Sequence, residues 1–474
     1  MKKVYLALVS SLVLGLALAA CGGGDAPRVV EVEKVVEVEK VVIKEVEVEK
    51  QIVVEKEVVK EVEKQIVVEK EVEVVTEVEK VLPVERLGIG TMTIRTGAGA
   101  SFGVPYDTGQ SIAVTRANDA GGIVIGGTRY LIDQEKLDSK WEVPVMLSIS
   151  EQFINRRKYK FVITGGSPMI EVMDPISSPA KVIHMSTTWH LEPCESDHTF
   201  CTMATHFDTA PYFFEMIQEM EPQVKSVFYA GVNFTYDIGA EGLTEAVARS
   251  MGFEWDSLFM EYPVTDMLSI ATSVIAKNPD MVILGGLTGD GPAFIRAMRD
   301  LGYEGVMGTV YGMPSIPQLL AAFDGGEEHL LENYYAVEEH SFDSFGGYGD
   351  PDLQQLVADY DRIEPGIPQA GIITAFYSMD ILLKGIQKAG TVDDTDKIAE
   401  TLETIEIPNI MLPGDPIMTF GGAGKSDVEL IKRQEHLIWN AMAINLYKNG
   451  KPSTLEVISA VPKGPIPLEH ERGR

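Results

Sequence analysis

Cysteine is almost missing from this chain: three residues in 474, at positions 21, 194 and 201. That excludes a disulfide-stapled scaffold, so stability has to come from buried apolar cores. Positive charge is short as well. Forty Lys and Arg stand against 71 Asp and Glu, a formal net charge of −31. Charge of that sign argues against nucleic acid and anionic lipid surfaces as partners and is silent about any small ligand. Catalytic signatures are scarce too. No Gly-x-Ser-x-Gly hydrolase elbow is expected, nor a phosphate-cradling P-loop, a His-Glu-x-x-His zinc pair or a carboxylate pair with an evident acid partner. Neither enzyme activity, nor a cofactor, nor a metal is expected.

The long apolar run is at the start. Lys2 and Lys3 precede residues 4–18, which are almost unbroken in apolar character. The run is too short for a comfortable membrane span and suits the apolar region of an export signal. It ends in Leu18-Ala19-Ala20-Cys21, which resembles a bacterial lipobox. That resemblance implies a signal peptide over 1–20, lipid on Cys21, and a folded body held outside the cytoplasm at the cell membrane. Cys194 and Cys201 remain, seven apart and in an oxidising compartment, which favours a disulfide between them. A metal site remains the alternative, because His190, Glu192, Asp197, His198 and His206 lie nearby. Their spacing matches no known ligand pattern, and a disulfide would consume both thiols.

Residues 29–82 are Val, Glu, Lys and little else. Every Lys there is at an even position and every Glu at an odd one. Period two and abundant Val suit a strand. Yet Gln51-Ile-Val-Val-Glu-Lys-Glu57 returns 14 residues later as Gln65-Ile-Val-Val-Glu-Lys-Glu71, a spacing of two heptads. The segment 21–85 therefore reads as a lipid-anchored stalk, extended or helical, without chemistry of its own.

Beyond it about 390 residues remain, enough for two lobes with cores. Strands are expected at 87–94, 128–133, 161–164, 181–186, 226–231, 254–262, 281–285 and 305–310. Helices are expected at 107–120, with Asp107 or Thr108 as N-cap, and at 142–157, 209–221, 236–251, 267–277 and 291–301. This repeated β-α-β alternation predicts an α/β fold with parallel sheet. Such sheets bind ligands at the carboxyl ends of their strands. The loops 97–103, 165–169 and 186–189 stand out there, because free N–H groups beside a Ser or Thr hydroxyl can hold a carboxylate or carbonyl.

Several segments together resemble the substrate-binding proteins of branched-chain amino acid ABC importers. They are Ala117-Asn-Asp-Ala-Gly-Gly-Ile123, Tyr262-Pro-Val-Thr-Asp-Met267, Asn278-Pro-Asp-Met-Val-Ile-Leu284, and Phe294-Ile-Arg-Ala-Met-Arg-Asp-Leu-Gly302. Thr374-Ala-Phe-Tyr-Ser-Met-Asp380, Ile386-Gln-Lys-Ala-Gly390 and the closing run 438–450 with its Asn-Gly turn complete the pattern. The resemblance implies a two-lobed type I periplasmic-binding-protein fold that closes over a small molecule by hinge motion and hands it to a membrane permease. It places the first lobe at 86–205 plus 338–417 and the second at 206–337 plus 418–470.

It also assigns a site. Ser167 matches the serine that holds a ligand carboxylate, and Ser186, Thr187, Thr188 and Trp189 occupy the place of the next polar group. Phe102 before Gly103 matches an aromatic that packs on the ligand, and Tyr236 is the candidate for one that closes from the other lobe. Amino-acid binders of the family carry an acid near the position of Tyr311, where this chain reads Thr309-Val-Tyr-Gly312; Asp290 in a neighbouring loop is the substitute. An ammonium without an acid would be costly in a closed cleft, so a carboxylate, amide or aromatic acid suits the remaining residues at least as well as a free amino acid. A ligand sensor of the same fold and, less so, a surface adhesin are the competing functions.

Overall fold

The computed structural model describes residues 34–54, 57–77, 82–97, 99–188, 196–203, 206–261, 264–286, 289–310, 314–323, 325–338, 351–367, 371–407, 420 and 442–458. The chain forms two compact units, Met1–Val84 and Glu85–Arg474. In the first, β1 (Lys34–Val54) and β2 (Glu57–Glu77) pair antiparallel, with Lys34 opposite Glu77 and Val54 opposite Glu57. In this register each even position faces an odd one. Lys40 stands opposite Glu71, Lys50 opposite Glu61 and Glu47 opposite Lys64, and along the described ladder no Lys faces Lys and no Glu faces Glu.

The second unit holds two sheets. The first comprises β3 (Val84–Thr93), β4 (Ile123–Ile125), β5 (Thr128–Asp138), β6 (Phe161–Thr164), β7 (Ile183–Ser186) and β8 (Thr199–Cys201), in the order β4-β5-β3-β6-β7-β8. From β3 to β8 the neighbours run parallel. The second comprises β9 (Ser226–Val232), β10 (Glu254–Met260), β11 (Met281–Leu284), β12 (Val306–Thr309), β13 (Tyr334–Glu338), β14 (Met442–Lys448) and β15 (Lys451–Ile458). Its order is β10-β9-β11-β12-β13-β14-β15, parallel through β13 and antiparallel beyond. The central strands Phe-Val-Ile-Thr and Met-Val-Ile-Leu are buried at every position, as strands covered on both faces must be. Asn449 and Gly450, both at positive φ (56° and 73°), make the two-residue turn between β14 and β15. The terminal strand pair is thus Met442–Lys448 and Lys451–Ile458 around the expected Asn-Gly turn.

The helices are α1 (Ala100–Asp119), α2 (Val143–Glu151), α3 (Ser167–Ser177), α4 (His206–Met220), α5 (Thr235–Ser250), α6 (Met267–Ile275), α7 (Gly291–Asp300), α8 (Ile316–Ala322), α9 (Pro351–Ile363), α10 (Ile372–Ala389) and α11 (Thr395–Glu403). Helix α1 packs on α10 and α9, so the late helices rejoin the first sheet. One apolar cluster joins strands of the first sheet to α10 (Ile89, Ile163, Met185, Ile381) and another joins strands of the second to α4 (Tyr229, Ile283, Ile444, Phe213). A third is continuous through residues of both, from Met92, Phe102 and Tyr106 to Phe228, Leu284 and Met307. No helix among the described residues is long and apolar enough to cross a membrane.

The largest departure from the sequence reading is the start of α1. The glycine-rich segment does not form a loop up to residue 107; the helix begins at Ala100, and Gly99 precedes its first turn. Asp107 and Thr108 are therefore not caps. Asp107 is buried inside the helix, ion-paired with Arg95 and, at 3.0 Å, with Lys136. Thr108 donates to Glu364 at 2.8 Å. Glycine disfavours a helix in isolation, and Gly99 and Gly103 flank this first turn, so tertiary packing carries it. Two further differences are smaller: β5 runs on to Asp138, and the helix expected over 142–157 changes to a π-helix at Gln152–Arg156.

Candidate ligand-binding site

Gly166 ends the passage from β6 to α3 with φ 143°, a conformation that favours glycine. It turns the chain so that Ser167 opens α3. The Ser167 hydroxyl lies 2.6 Å from that of Thr188, just past the end of the parallel neighbour β7. Phe102 comes from α1, and a Cβ on Gly166 would sit 3.3 Å from its ring edge. Phe102, Ser167 and Thr188, drawn from three separate segments of the chain, thus meet at one place, and all are buried.

Hydroxyls continue beneath them. Thr164 Oγ1 is 2.9 Å from Ser186 Oγ and 2.8 Å from His184 Nε2. Thr187 donates its amide and its hydroxyl to the Thr164 carbonyl. Burial pushes the His184 imidazole down to about 3, so it is neutral at any physiological pH. It is a polar support for the hydroxyl row rather than a charge. A hydroxyl has one hydrogen and two lone pairs. When Thr188 donates within the Ser167–Thr188 pair, the Ser167 hydrogen is available to an acceptor. The positive end of the α3 dipole lies at the same point. This arrangement suits a ligand oxygen that carries negative charge.

The remaining expected residues are more scattered. Tyr236 is buried at the head of α5, its ring stacked on Phe234 at 5.6 Å. Asp290 precedes α7; burial raises its carboxyl above the usual range, and a backbone N–H from Val264 lowers it. Trp189, Tyr311, Cys21 and Cys194 lie outside the described residues. Cys201 is disulfide-bonded, which takes its thiol from any metal. Asp197 is exposed, and His198 is paired with Asp396 at 2.8 Å.

Two features were not read from the sequence. The first is Gln318. Pro105 lies inside α1 and has no N–H, so the carbonyl of Ser101 loses its helical partner. Gln318 of α8 donates its side-chain Nε2 to that carbonyl at 3.4 Å. Its Oε1 accepts from the Ser315 amide at 2.9 Å in a capping box, which fixes the amide orientation. The contact joins a helix on the first sheet to one on the second. The second corrects the expectation that no hydrolase elbow is spelled in the chain: Gly99-Ala100-Ser101-Phe102-Gly103 has the Gly-x-Ser-x-Gly pattern. Ser101 is exposed, lies in the first turn of a helix, and is not at positive φ. No hydrogen bond joins its hydroxyl to a histidine among the described residues, so the spelling is without its geometry. A cavity of about 290 Å³ lies elsewhere, where β6 and β7 begin, with Lys160 and Asp393 paired in its wall.

Two α/β lobes, each with a largely parallel sheet, and an apolar cluster continuous through both define a bilobal architecture. A sequence model described as periplasmic binding protein matches residues 87–427, and the chain belongs to that family. Solved structures agree on the fold. A leucine binding protein of Thermotoga maritima is 17% identical, with 79% of this chain and 99% of that one covered at a TM-score of 0.65. An R. palustris solute binding protein in complex with 4-hydroxybenzoate is 15% identical, covering 80% and 98%, TM-score 0.64. A fatty acid ABC transporter substrate-binding protein of Thermomonospora curvata is 17% identical, covering 82% and 94%, TM-score 0.65.

Proposed function

We propose that the chain is the extracytoplasmic solute-binding component of an ABC importer, capturing a small carboxylate, amide or amino-acid-like ligand between its lobes. The Ser167–Thr188 hydroxyl pair at the head of α3, beside the Phe102 ring, is the observation that carries this reading. The similar proteins are named for leucine, 4-hydroxybenzoate and fatty acid, ligands that share a carboxylate and differ in everything else. A site built of hydroxyls and a helix terminus fits that shared group. On this reading Trp189, Tyr311, Tyr236 and Asp290 complete the walls, and the lobes divide at 86–205 plus 338–417 and 206–337 plus 418–470. Lipid on Cys21 would keep the binder near its permease, and Cys194 is the partner for the Cys201 disulfide.

Melting the protein against amino acids, amides, hydroxybenzoates and fatty acids tests the proposal. A true ligand at a hundred times its Kd stabilises by about 2.7 kcal/mol. Mass spectrometry should recover it unchanged, and a transformed hit would put an enzyme in place of a carrier. Ser167→Ala is expected to weaken capture of that ligand by about 1–3 kcal/mol, read by calorimetry. Wild-type affinity in the variant would remove Ser167 from the site.

A further inference from the structure

Asp237 is the third residue of α5 and is fully buried. Its Oδ1 accepts the Tyr229 hydroxyl at 2.7 Å, and its Oδ2 accepts the Val232 amide at 2.5 Å. Tyr229 and Val232 both belong to β9, and Val232 is its last residue, at the carboxyl end where sheets of this kind bind ligands. The same oxygen lies under two strand ends at once: a Cβ on Gly231 would approach it to 2.4 Å, and one on Gly286, beyond β11, to 2.9 Å. The carboxyl therefore closes the β9–α5 turn, the short link that carries Phe234 and leads into Tyr236.

Among the described residues, no cation acts on this carboxyl. Glu241, one helical turn further on, is also buried and accepts the Trp255 indole N–H at 2.9 Å. Tyr229 from β9 and Glu241 from α5 itself are the titratable groups that act on Asp237. Among the described side chains of the other elements packed on α5, Glu215 and Glu219 of α4 and Glu254 and Asp256 of β10 are exposed. Burial, opposed by the Tyr229 and Val232 hydrogen bonds and assisted by the Glu241 charge, pushes the carboxyl up to about 7.

We propose that Asp237 is a proton-gated positioning residue: as a neutral acid it clamps the β9–α5 turn, and its ionisation loosens that turn. The neutral acid keeps both contacts, because Tyr229 can reverse its role and accept the acid's hydrogen. The carboxylate is a buried charge beside a second acid, and the available relief is to admit water by opening the turn. On the binding reading, which gives the proposal its functional consequence, the turn is the second-lobe wall of the cleft. A loosened wall holds a guest less firmly at alkaline than at acid pH.

The sign follows from linkage. A carboxyl whose folded value lies above its unfolded one adds stability that is fully present below pH about 4 and is lost as pH rises to about 7. Asn at this position imitates the neutral acid and cannot ionise. Hydrogen exchange of the ligand-free protein from pH 5 to 8.5, corrected for intrinsic rates, is the test. In the wild type, protection of residues 232–237 is expected to fall about tenfold between pH 6 and 8, while α11 is unchanged. In Asp237→Asn that fall should vanish, and the midpoint of thermal unfolding should lose the matching component of its decline with pH. Parallel pH profiles in the two proteins would overturn the proposal. Glu241→Gln supplies a second decision should Asp237→Asn fail to fold. Removing the neighbouring charge should move the transition to lower pH, and an unmoved transition sinks the idea. Neither measurement uses a solute, so a failed clamp leaves the binding reading standing, and a failed solute screen leaves the clamp standing.

Discussion

Gly103→Ala is expected to destabilise the protein by about 2–3 kcal/mol and to abolish solute capture. An alanine in a helix interior is ordinarily favourable by about 1 kcal/mol over glycine. Here a Cβ on Gly103 would stand 1.8 Å from the carbonyl oxygen of Ile94 and 2.5 Å from its carbonyl carbon. These are backbone atoms, so no rotamer change relieves the contact, and α1 has to move off the end of β3. Phe102 precedes Gly103 and touches the Tyr106 ring at 4.2 Å, so the shift would also remove the aromatic beside Ser167. Denaturant unfolding and calorimetry read the two effects. An alanine variant as stable as the wild type would show that the close approach of α1 to β3 is not required.

The second large effect is expected at Glu338, the last residue of β13 and fully buried. Its Oε1 accepts the Ile316 amide at 2.8 Å, at the start of α8, and its Oε2 accepts the Asn445 side-chain amide at 2.8 Å, from β14. One carboxyl therefore ties together a helix start and two strands close to the place where the chain leaves the second sheet for α9. Glu338→Ala strands both donors in the interior, at about 1–3 kcal/mol each. A total loss of roughly 2–6 kcal/mol is expected. Glu338→Gln keeps one acceptor and should lose much less. Denaturant midpoints of the two variants decide the matter, and equal loss in both would show that the hydrogen bonds are not what holds the junction. Gln318 depends on this arrangement, since α8 positions it to reach the carbonyl that Pro105 leaves open.

The sequence by itself determined the alternation of apolar runs with amphipathic stretches, and from it the parallel α/β class. Strands such as Phe161–Thr164 and Met281–Leu284 were legible because a strand covered on both faces must be apolar throughout, whatever packs on it. The Asn449-Gly450 turn was legible because its residue types alone supply two positive φ angles. Ser167, Thr188 and Phe102 were legible as candidates through their places at strand ends and the likeness to a family. That they meet was decided by the parallel register of β6 and β7 and by the positive φ of Gly166. Tertiary structure alone decided the first turns of α1, where local preference opposes helix and packing against Ile94 and α10 imposes it. It alone placed Asp107, Asp237, Glu338 and Gln318. The role of a buried polar group is set by the donors and acceptors that distant segments bring to it, and those distances are not written along the chain.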